Sequence, residues 1–226
     1  MIAELHCHST CIKLPYFPLF YDAVQTVDQI IEQCLLKNIE VLSITEHDSL
    51  DGYRIAKKII EKRKLPIVLI PGSEISTKDG HILAYGILKE IPKGLSAKET
   101  VDLIHEQGGL AVAAHPFIPF FSIKEKIFDL PLDAVEGGCA AANKGANVKA
   151  MAAAKKMKLP ATSSSDAHSI YGMGKGKTIF NKKIKNWQEA LVALKNGDFT
   201  IQTEYQSWLK VGWDNISINI KILLSA

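Results

Sequence analysis

Short apolar segments alternate with longer amphipathic segments along most of the chain, and this alternation limits the possible folds more than any other feature. Apolar runs predict strands at Ile2–His8, Glu40–Thr45, Pro66–Ile70, His81–Ile87, Leu110–Ala114, Leu132–Glu136 and Pro160–Ser164. Helical spacing predicts helices at Thr26–Lys37, Leu50–Lys64, Ala97–Gln107, Ala146–Met157 and Trp187–Lys195. Strands that are separated by helices usually pair in parallel, with the helices as crossovers.

About seven such strands predict an α/β fold in which a closed or nearly closed β/α barrel is favoured over an open, doubly wound sheet. A length of 226 residues is typical of one domain, so residues 1–226 are expected to form a single domain. The glycine-rich segment Gly172–Lys177 does not lie between a strand and a helix, which excludes a dinucleotide-binding loop.

The composition is that of an ordinary globular protein, with 47% hydrophobic and 23% charged residues. A formal net charge of +3 permits anionic substrates but lacks the basic excess of a dedicated duplex-binding protein. The four cysteines include no C-x-x-C pair, which favours free thiols. Neither a signal peptide nor a bilayer-spanning segment is evident, so a cytoplasmic protein without a membrane partner is expected.

Six of the seven histidines stand in or near clusters of metal-binding residue types, most of them at the carboxyl ends of predicted strands. The clusters are His6-Cys7-His8, Glu46-His47-Asp48, Gly72-Ser73-Glu74, Ala113-Ala114-His115-Pro116 and Ser165-Asp166-Ala167-His168. In a β/α barrel those strand ends converge on one mouth. We therefore expect these side chains to meet around a common centre.

Two histidines need separate treatment. His81 begins a strand, but Lys78-Asp79-Gly80 predicts a tight turn that would return His81 to the level of Glu74. His105 lies inside a predicted helix and is interpreted as an ordinary hydrogen-bonded residue.

The ordered series of motifs resembles the PHP (polymerase and histidinol phosphatase) family, in particular its small stand-alone phosphoesterases. The motifs are His6-x-His8-Ser9, Ile44-Thr45-Glu46-His47-Asp48, Gly72-Ser73-Glu74-Ile75-Ser76, His81, His115-Pro116 and Ser165-Asp166-Ala167-His168. The resemblance covers positions 2 to about 203. It implies a distorted (β/α)7 TIM-like barrel that holds two or three divalent metal ions.

The resemblance also implies how the metal ligands are grouped. The groups are His6, His8, Glu74 and Asp166; Glu74, His81 and His115; and His47 with His168. Imidazole-rich sites with a bridging carboxylate suit Mn²⁺, Zn²⁺ or Fe²⁺ better than Mg²⁺.

The third group departs from the family pattern. The family continues its first motif to a Ser-Asp or to a third histidine, whereas segment 10–15 contains neither an acid nor a histidine. Asp22 and the cation of Lys13 are the two candidates for that position. Glu46 also stands where aspartate is commoner. Two metals are therefore expected, and the occupancy of a third is left open.

The implied activity is hydrolysis of a phosphomonoester or a nucleotide-type phosphodiester by a hydroxide that bridges two metals on Glu74. His168 or Asp48 is the candidate proton donor to the leaving group. Lys175 and Lys177 are candidates to bind the substrate phosphate, and Glu136 is interpreted either as a residue that supports the metal ligands or as part of the polar lining of the mouth.

The expected partner is a small phosphate ester, a nucleotide or a short oligonucleotide, and no obligate protein partner is evident. Three alternatives remain. They are histidinol-phosphate hydrolysis, a non-catalytic nucleic-acid-associated barrel, and a zinc amidohydrolase, for which no strand-end lysine is evident.

Overall fold

The computed structural model describes residues 1–14 and 17–205 of the chain. Its helices are α1 (Val27–Leu36), α2 (Asp51–Arg63), α3 (Ala97–Glu106), α4 (Lys144–Met157), α5 (Trp187–Asn196) and a 3₁₀ helix (Lys124–Asp129). Its strands are β1 (Ile2–Glu4), β2 (Lys13–Leu14), β3 (Phe17–Tyr21), β4 (Ile39–Leu42), β5 (Val68–Leu69), β6 (Gly72–Ser76), β7 (His81–Tyr85), β8 (Leu110–Ala113), β9 (Ala134–Cys139), β10 (Ala161–Ser164), β11 (Gly176–Phe180) and β12 (Phe199–Thr203).

The described strands form two five-stranded sheets and one hairpin. The strand orders are β12-β11-β1-β4-β5 and β10-β9-β8-β7-β6, and β2 pairs with β3. The parallel pairs are β1 with β4, β4 with β5, β8 with β9, and β9 with β10. All other pairs are antiparallel.

The predicted α/β class is confirmed, but a closed (β/α)7 barrel is not, because the described strands form two sheets that are not closed into one. Single bridges link the two sheets beyond the strand ends. One joins Cys7 to Ala167, and the other joins His47 to Glu74.

The expectation of parallel pairing is wrong for β7 and β8. The segment before α3 runs back along the sheet, because Gly94 N donates to Ser76 O (2.7 Å) and Lys78 N donates to Leu95 O (2.8 Å). Helix α3 then returns the chain to the end of β7 that it had left, so β8 runs antiparallel to β7.

Side-chain caps fix where several helices begin. The Thr26 hydroxyl accepts from Gln29 N at the start of α1, and Ser96 forms the same capping box with Glu99 at the start of α3. The Asn143 side chain accepts from Ala146 N, which starts α4 two residues before the predicted position. The helix bounds are therefore set by local polar contacts that the sequence displays.

Helices pack against the sheets, and their apolar faces share the core with the strands. Ile30 and Ile31 of α1 lie with Ile44 in one buried cluster, whereas Val101 and Ile104 of α3 lie in another. This packing leaves the polar residues that follow the strands gathered at one end of the fold. In the described part of the chain no helix has the length and apolar character needed to cross a membrane.

Candidate metal centre

The Glu74 carboxylate lies at the middle of the histidine cluster, on strand β6, and is almost completely buried. Its Oε2 lies 3.3 Å from Nε2 of His6, 3.3 Å from Nε2 of His8 and 3.4 Å from Nδ1 of His47. A single oxygen thus faces imidazoles from two separate segments of the chain.

The other oxygen of Glu74 faces a second pair of imidazoles. Its Oε1 lies 2.9 Å from Nδ1 of His81 and 3.0 Å from Nε2 of His115. The predicted reversal at His81 is confirmed, because β6 and β7 form a hairpin in which Ser76 pairs with His81. Glu74 therefore stands between two sets of nitrogen atoms, in the position expected of a bridging ligand.

Asp166 and Asp22 supply the remaining carboxylates. Oδ1 of Asp166 lies 3.3 Å from Nε2 of His6 and 3.4 Å from Nε2 of His8. Oδ2 of Asp22 lies 3.7 Å from Nδ1 of His8, 3.9 Å from Nε2 of His47 and 3.6 Å from Nε2 of His168. The two ring nitrogens of His8 therefore face opposite sides of the centre.

We name the parts of this centre by their residues. The deep group is His6, His8, Glu74 and Asp166; the hairpin group is Glu74, His81 and His115; the outer group is Asp22, His47 and His168.

The donor set fits divalent cations. Four combinations of side chains have ligand atoms that all lie within 4.8 Å of one another, and they are His8-Asp22-His47-His168, His6-His115-Asp166, His6-His8-Glu74 and His47-Glu74-His81. In addition, Nδ1 of His8, His47 and His115 is buried without a hydrogen-bond partner among the described residues. Mixed imidazole and carboxylate sets of this kind suit Zn²⁺, Mn²⁺ or Fe²⁺.

In the deep group, the ionised carboxylates and the protonated histidines stabilise one another. Burial raises the pKa of Glu74, but the histidines around it, His81 and His6 foremost, outweigh burial and hold that pKa well below its ordinary value. Burial lowers the pKa of His8, yet the hydrogen-bonding carboxylates of Asp166 and Glu74 raise it to about 10. Without a cation, the deep group therefore holds protons between its carboxylates.

His47 in the outer group behaves differently. Burial lowers the pKa of His47 to about 4, because the attraction of Glu74 does not compensate for lost hydration. Its imidazole is therefore neutral at physiological pH, which is the form that binds metal.

Glu136 is not a ligand in any of the three groups, but it holds two of the ligands, His6 and His115, in place. Its Oε1 lies 3.0 Å from Nδ1 of His6 and accepts from the Ser164 hydroxyl (2.5 Å), while its Oε2 accepts from His115 N (2.7 Å). A carboxylate on the far nitrogen of an imidazole fixes the tautomer and points the other nitrogen at the metal.

Glu4 is a supporting residue that the sequence analysis missed. Its buried carboxylate accepts from Ser165 N (3.0 Å), the Ser165 hydroxyl (2.5 Å) and Gly174 N (2.9 Å), and burial raises its pKa. A signal was present in the predicted strand Ile2–His8, where Glu4, His6 and His8 alternate and are expected to share a face. An acid in phase with two candidate ligands indicates a residue of the same site.

Two further buried residues hold the segment that carries His8. The Glu46 carboxylate accepts from Ser9 N (3.0 Å) and from the Ser9 hydroxyl, and burial raises its pKa to about 7. The Gln25 side chain donates to the carbonyls of His8 and Ala167, each at 2.8 Å. Ser9 and Ser165 thus contact carboxylates that order the ligand segments.

Asp48 is not brought into the centre. Its Oδ1 accepts from Ser76 N (2.7 Å), so the carboxylate fixes the end of strand β6. A proton-donating role for Asp48 stays a prediction that this contact does not favour.

The contacts described for Lys175 and Lys177 do not include a residue of the centre, and their role in binding phosphate stays a prediction. Burial lowers the pKa of Lys37, and the charges of Lys175 and Lys177 lower it further. Cε of Lys177 and the Cδ1 of Ile39 both lie within 4 Å of the position that a Cβ would take at Gly174. Ile39 begins β4, whereas His47 follows the opposite end of that strand.

The two remaining candidates are His105 and Lys13. His105 lies on the surface in α3, with Nε2 2.8 Å from Asp133 Oδ2, far from the cluster in sequence and contacts. The side chain of Lys13 falls outside the described residues, so its candidacy for the third group is not addressed.

The chain is similar to several known proteins. Residues 144–199 match the family model described as PHP-associated (PHP_C). An uncharacterized protein of Methanocaldococcus jannaschii is 39% identical over 139 residues, which are 60% of this chain and 80% of the relative. A phosphoribosyl 1,2-cyclic phosphate 1,2-diphosphodiesterase of Eggerthella lenta is 31% identical over 98 residues, 41% of this chain and 33% of that protein.

A solved structure supports the fold. It is that of a two-domain protein from Bacteroides vulgatus, described as containing a predicted PHP-like metal-dependent phosphoesterase. The TM-score is 0.72 at 17% identity, and the match covers 95% of this chain and 69% of that protein.

Proposed function

The chain belongs to the PHP family, and from that premise we propose that it is a metal-dependent hydrolase of phosphate esters. The observation that carries the proposal is the surrounding of Glu74, whose two oxygens face five imidazoles from different parts of the chain. A purely structural buried carboxylate needs one or two hydrogen-bond donors, not five ring nitrogens.

The proposed ligands follow the three groups of the centre. The deep group and the hairpin group share Glu74 and would hold two cations, Mn²⁺, Zn²⁺ or Fe²⁺. The outer group would hold a third, with Asp22 in the place of the acid or histidine missing from segment 10–15. The position of Asp22 between His47 and His168 supports this assignment.

When bound, the cations would neutralise charge on the phosphoryl oxygens and lower the pKa of a water molecule towards neutrality. The chain itself supplies orientation and proton transfer. Where the outer group holds no cation, His168 is the proposed proton donor to the leaving group, because its imidazole is partly exposed and lies 3.6 Å from Asp22. The hydroxyls of Ser9 and Ser165 are engaged with carboxylates, so neither is proposed as a nucleophile.

The proposed substrate is a phosphomonoester or a nucleotide-type phosphodiester. Its phosphate would bind at the centre, where the bound cations would balance the negative charge of the acidic ligands. The name of the Eggerthella relative describes a phosphodiesterase, which supports phosphate-ester chemistry on a related chain. We also propose that the two sheets together form the distorted barrel of the family, since bridges from Cys7 and His47 join them on both sides.

The test is metal analysis of the purified protein, followed by assays with Mn²⁺ or Zn²⁺ that measure phosphate release from aryl phosphates and nucleotides and chain cleavage of short oligonucleotides. His8→Ala and Asp166→Ala should each remove bound metal and turnover while the circular dichroism spectrum is unchanged. Full activity of both variants, or hydrolysis of a dihydropyrimidine-like amide without phosphate release, would refute the proposal.

A further inference from the structure

Two exposed phenylalanines lie at the edge of the metal centre, in the loop between β8 and the 3₁₀ helix. Phe120 is 74% exposed and Phe121 is 71% exposed. The ring of Phe121 stacks on the imidazole of His81, with centroids 5.4 Å apart and planes inclined by 19°. Phe121 therefore touches a candidate metal ligand while most of its surface remains in water.

The backbone holds Phe121 in an unfavourable conformation. Its φ of 59° lies in the left-handed region, which bulky residues rarely adopt. His81 N donates to the carbonyl of Phe121 (3.0 Å), and Ile123 is buried in the core two residues later. Such outliers persist where surrounding structure fixes them, and they cluster at functional sites.

The turn between β6 and β7 packs against the loop that carries Phe121. A Cβ at Gly80 would lie 2.4 Å from backbone atoms of Ser122 and Ile123, so the two segments pack backbone to backbone. Only glycine permits this approach. The position of the Phe121 ring is therefore set by the scaffold.

A cavity of about 400 Å³ lies beside the ring, and it is lined by Ser76, Thr77, Lys78, Gly80, His81 and Phe121 among others. This volume falls in the range of small-molecule sites. The cavity shares His81 with the centre, and Nδ1 of His81 is 2.9 Å from Glu74. A substrate whose phosphate lies at the centre can thus place its next group against Phe121.

We propose that Phe121 is the stacking platform for the base of a nucleotide substrate whose phosphate lies at the metal centre. This inference rests on the proposed function and names its substrate class. An aromatic side chain with an open face binds planar rings irrespective of their hydrogen-bonding pattern. The cavity is lined by both Lys78 and Asp79, so its rim favours neither sign of charge and accepts a neutral base.

A role confined to covering His81 does not account for the geometry. An aromatic residue that only covers His81 would stabilise the fold in proportion to the apolar area that it removes from water. Here the ring leaves most of its surface exposed, beside a second exposed phenylalanine, and adopts a disfavoured backbone conformation.

The test compares the binding of adenosine 5′-monophosphate and ribose 5-phosphate to the Mn²⁺-loaded protein by calorimetry. Phe121→Leu should weaken binding of the nucleotide about tenfold, because stacking contributes about 1–3 kcal/mol per base, and should leave ribose 5-phosphate within about twofold. Phe121→Trp should retain the preference. Phe128→Leu is the matched control, since Phe128 is exposed but its ring contacts Lys156 instead of the centre.

The outcomes separate this inference from the proposed function. Equal effects of Phe121→Leu on both ligands, or no effect on either, would overturn the stacking platform even if phosphate is released. Loss of the nucleotide preference in Phe121→Leu, without hydrolysis of any phosphomonoester or phosphodiester by the wild type, supports the platform as a binding site and refutes the proposed function. A 5′-phosphorylated trinucleotide tested alongside identifies the base as that of a mononucleotide or an oligonucleotide end, and selective loss for either one supports the platform.

Discussion

The deep group and the outer group of the metal centre use the same residue types but are built differently. In the deep group the carboxylate oxygens lie 3.3–3.4 Å from the Nε2 atoms of His6 and His8. In the outer group the distances from Asp22 are 3.6–3.9 Å. The deep histidines are fully buried, whereas His47 and His168 are 25% and 21% exposed.

The difference follows from what positions each group. The deep ligands lie in or just beyond sheet strands, and buried carboxylates such as Glu136 and Glu4 hold them. Asp22 follows the hairpin of β2 and β3, and local backbone bonds place its loop, from Asp22 N to Ile12 O (3.0 Å) and from Val24 N to His168 O (2.8 Å). Preorganisation therefore decreases from the deep group to the outer group, and variants should show it.

The largest effect is expected for Glu74→Gln. The amide keeps the size of the side chain but loses the charge and one ligand oxygen, so both metals that share Glu74 should be lost. Turnover should fall about a thousandfold or more, since each metal stabilises the transition state by several kcal/mol. Metal content and phosphate release check the prediction, with the exposed Glu106→Gln as the control. Retention of two metals would show that Glu74 is not shared.

The next largest difference is expected in how metal affinity depends on pH in the deep group and in the outer group. A raised pKa means that a metal must displace a proton, so affinity rises with pH until that pKa is passed. The pKa of His8 is about 10 and that of His6 is also raised well above its ordinary value, so the deep-group affinity should rise about 10- to 100-fold per pH unit between pH 6 and 8. His47, with a pKa of about 4, adds no dependence there. Chelator competition at each pH measures this, and a flat profile would contradict it.

Glu136→Gln should weaken the deep and hairpin groups without touching the outer one. Glu136 accepts from donors on both oxygens, His6 Nδ1 and the Ser164 hydroxyl on one side and His115 N on the other. A glutamine must present its amide group to one side and so oppose a donor. Metal affinity should fall about 10- to 100-fold, measured by competition with a chelator. An unchanged affinity would mean that the strands alone orient His6.

The deep group is also the part of the centre that the sequence predicts best. His6, His8 and Asp166 follow strands that apolar runs reveal, and the rule that strand ends converge brings them together. Glu4 was missed because a buried acid in a strand has no local signal apart from its phase with His6. The antiparallel pairing of β7 and β8 was missed because it depends on backbone bonds between Ser76 and Gly94, which no periodicity displays.

The outer group depends on information that a linear reading lacks. Asp22 was one of two candidates, and its distance to His168 is set by a hairpin with too few residues for a clear alternation pattern. The lysines of segment 175–177 looked suited to phosphate because they follow a metal motif in sequence. In the structure the side chains of Lys177 and Ile39 both border Gly174, and the phosphate-binding role of the lysines stays a prediction.

Asp22→Asn should affect the outer group alone. Loss of the carboxylate should reduce metal content by about one equivalent and turnover about tenfold, because the deep and hairpin groups keep all their ligands. Asp28→Asn, an exposed carboxylate in the first turn of α1, is the control. Loss of all metals in Asp22→Asn would show that the groups are not independent, and no loss would remove Asp22 from the ligands.

The smallest effect is expected for His105→Gln, which tests whether histidines outside the centre contribute. His105 is 36% exposed and contacts Asp133, whose Oδ2 also accepts from Ala111 N (3.0 Å). The largely buried carboxylate thus keeps Ala111 N and Lys195 as partners when the partly exposed imidazole is removed, so the pair should contribute at most about 1 kcal/mol to stability. Metal content and turnover should equal those of the wild type, and the free energy of unfolding in urea should fall by less than that amount. A loss of metal would mean that a surface histidine on α3 influences the buried centre, and the division between cluster and surface histidines would then be wrong.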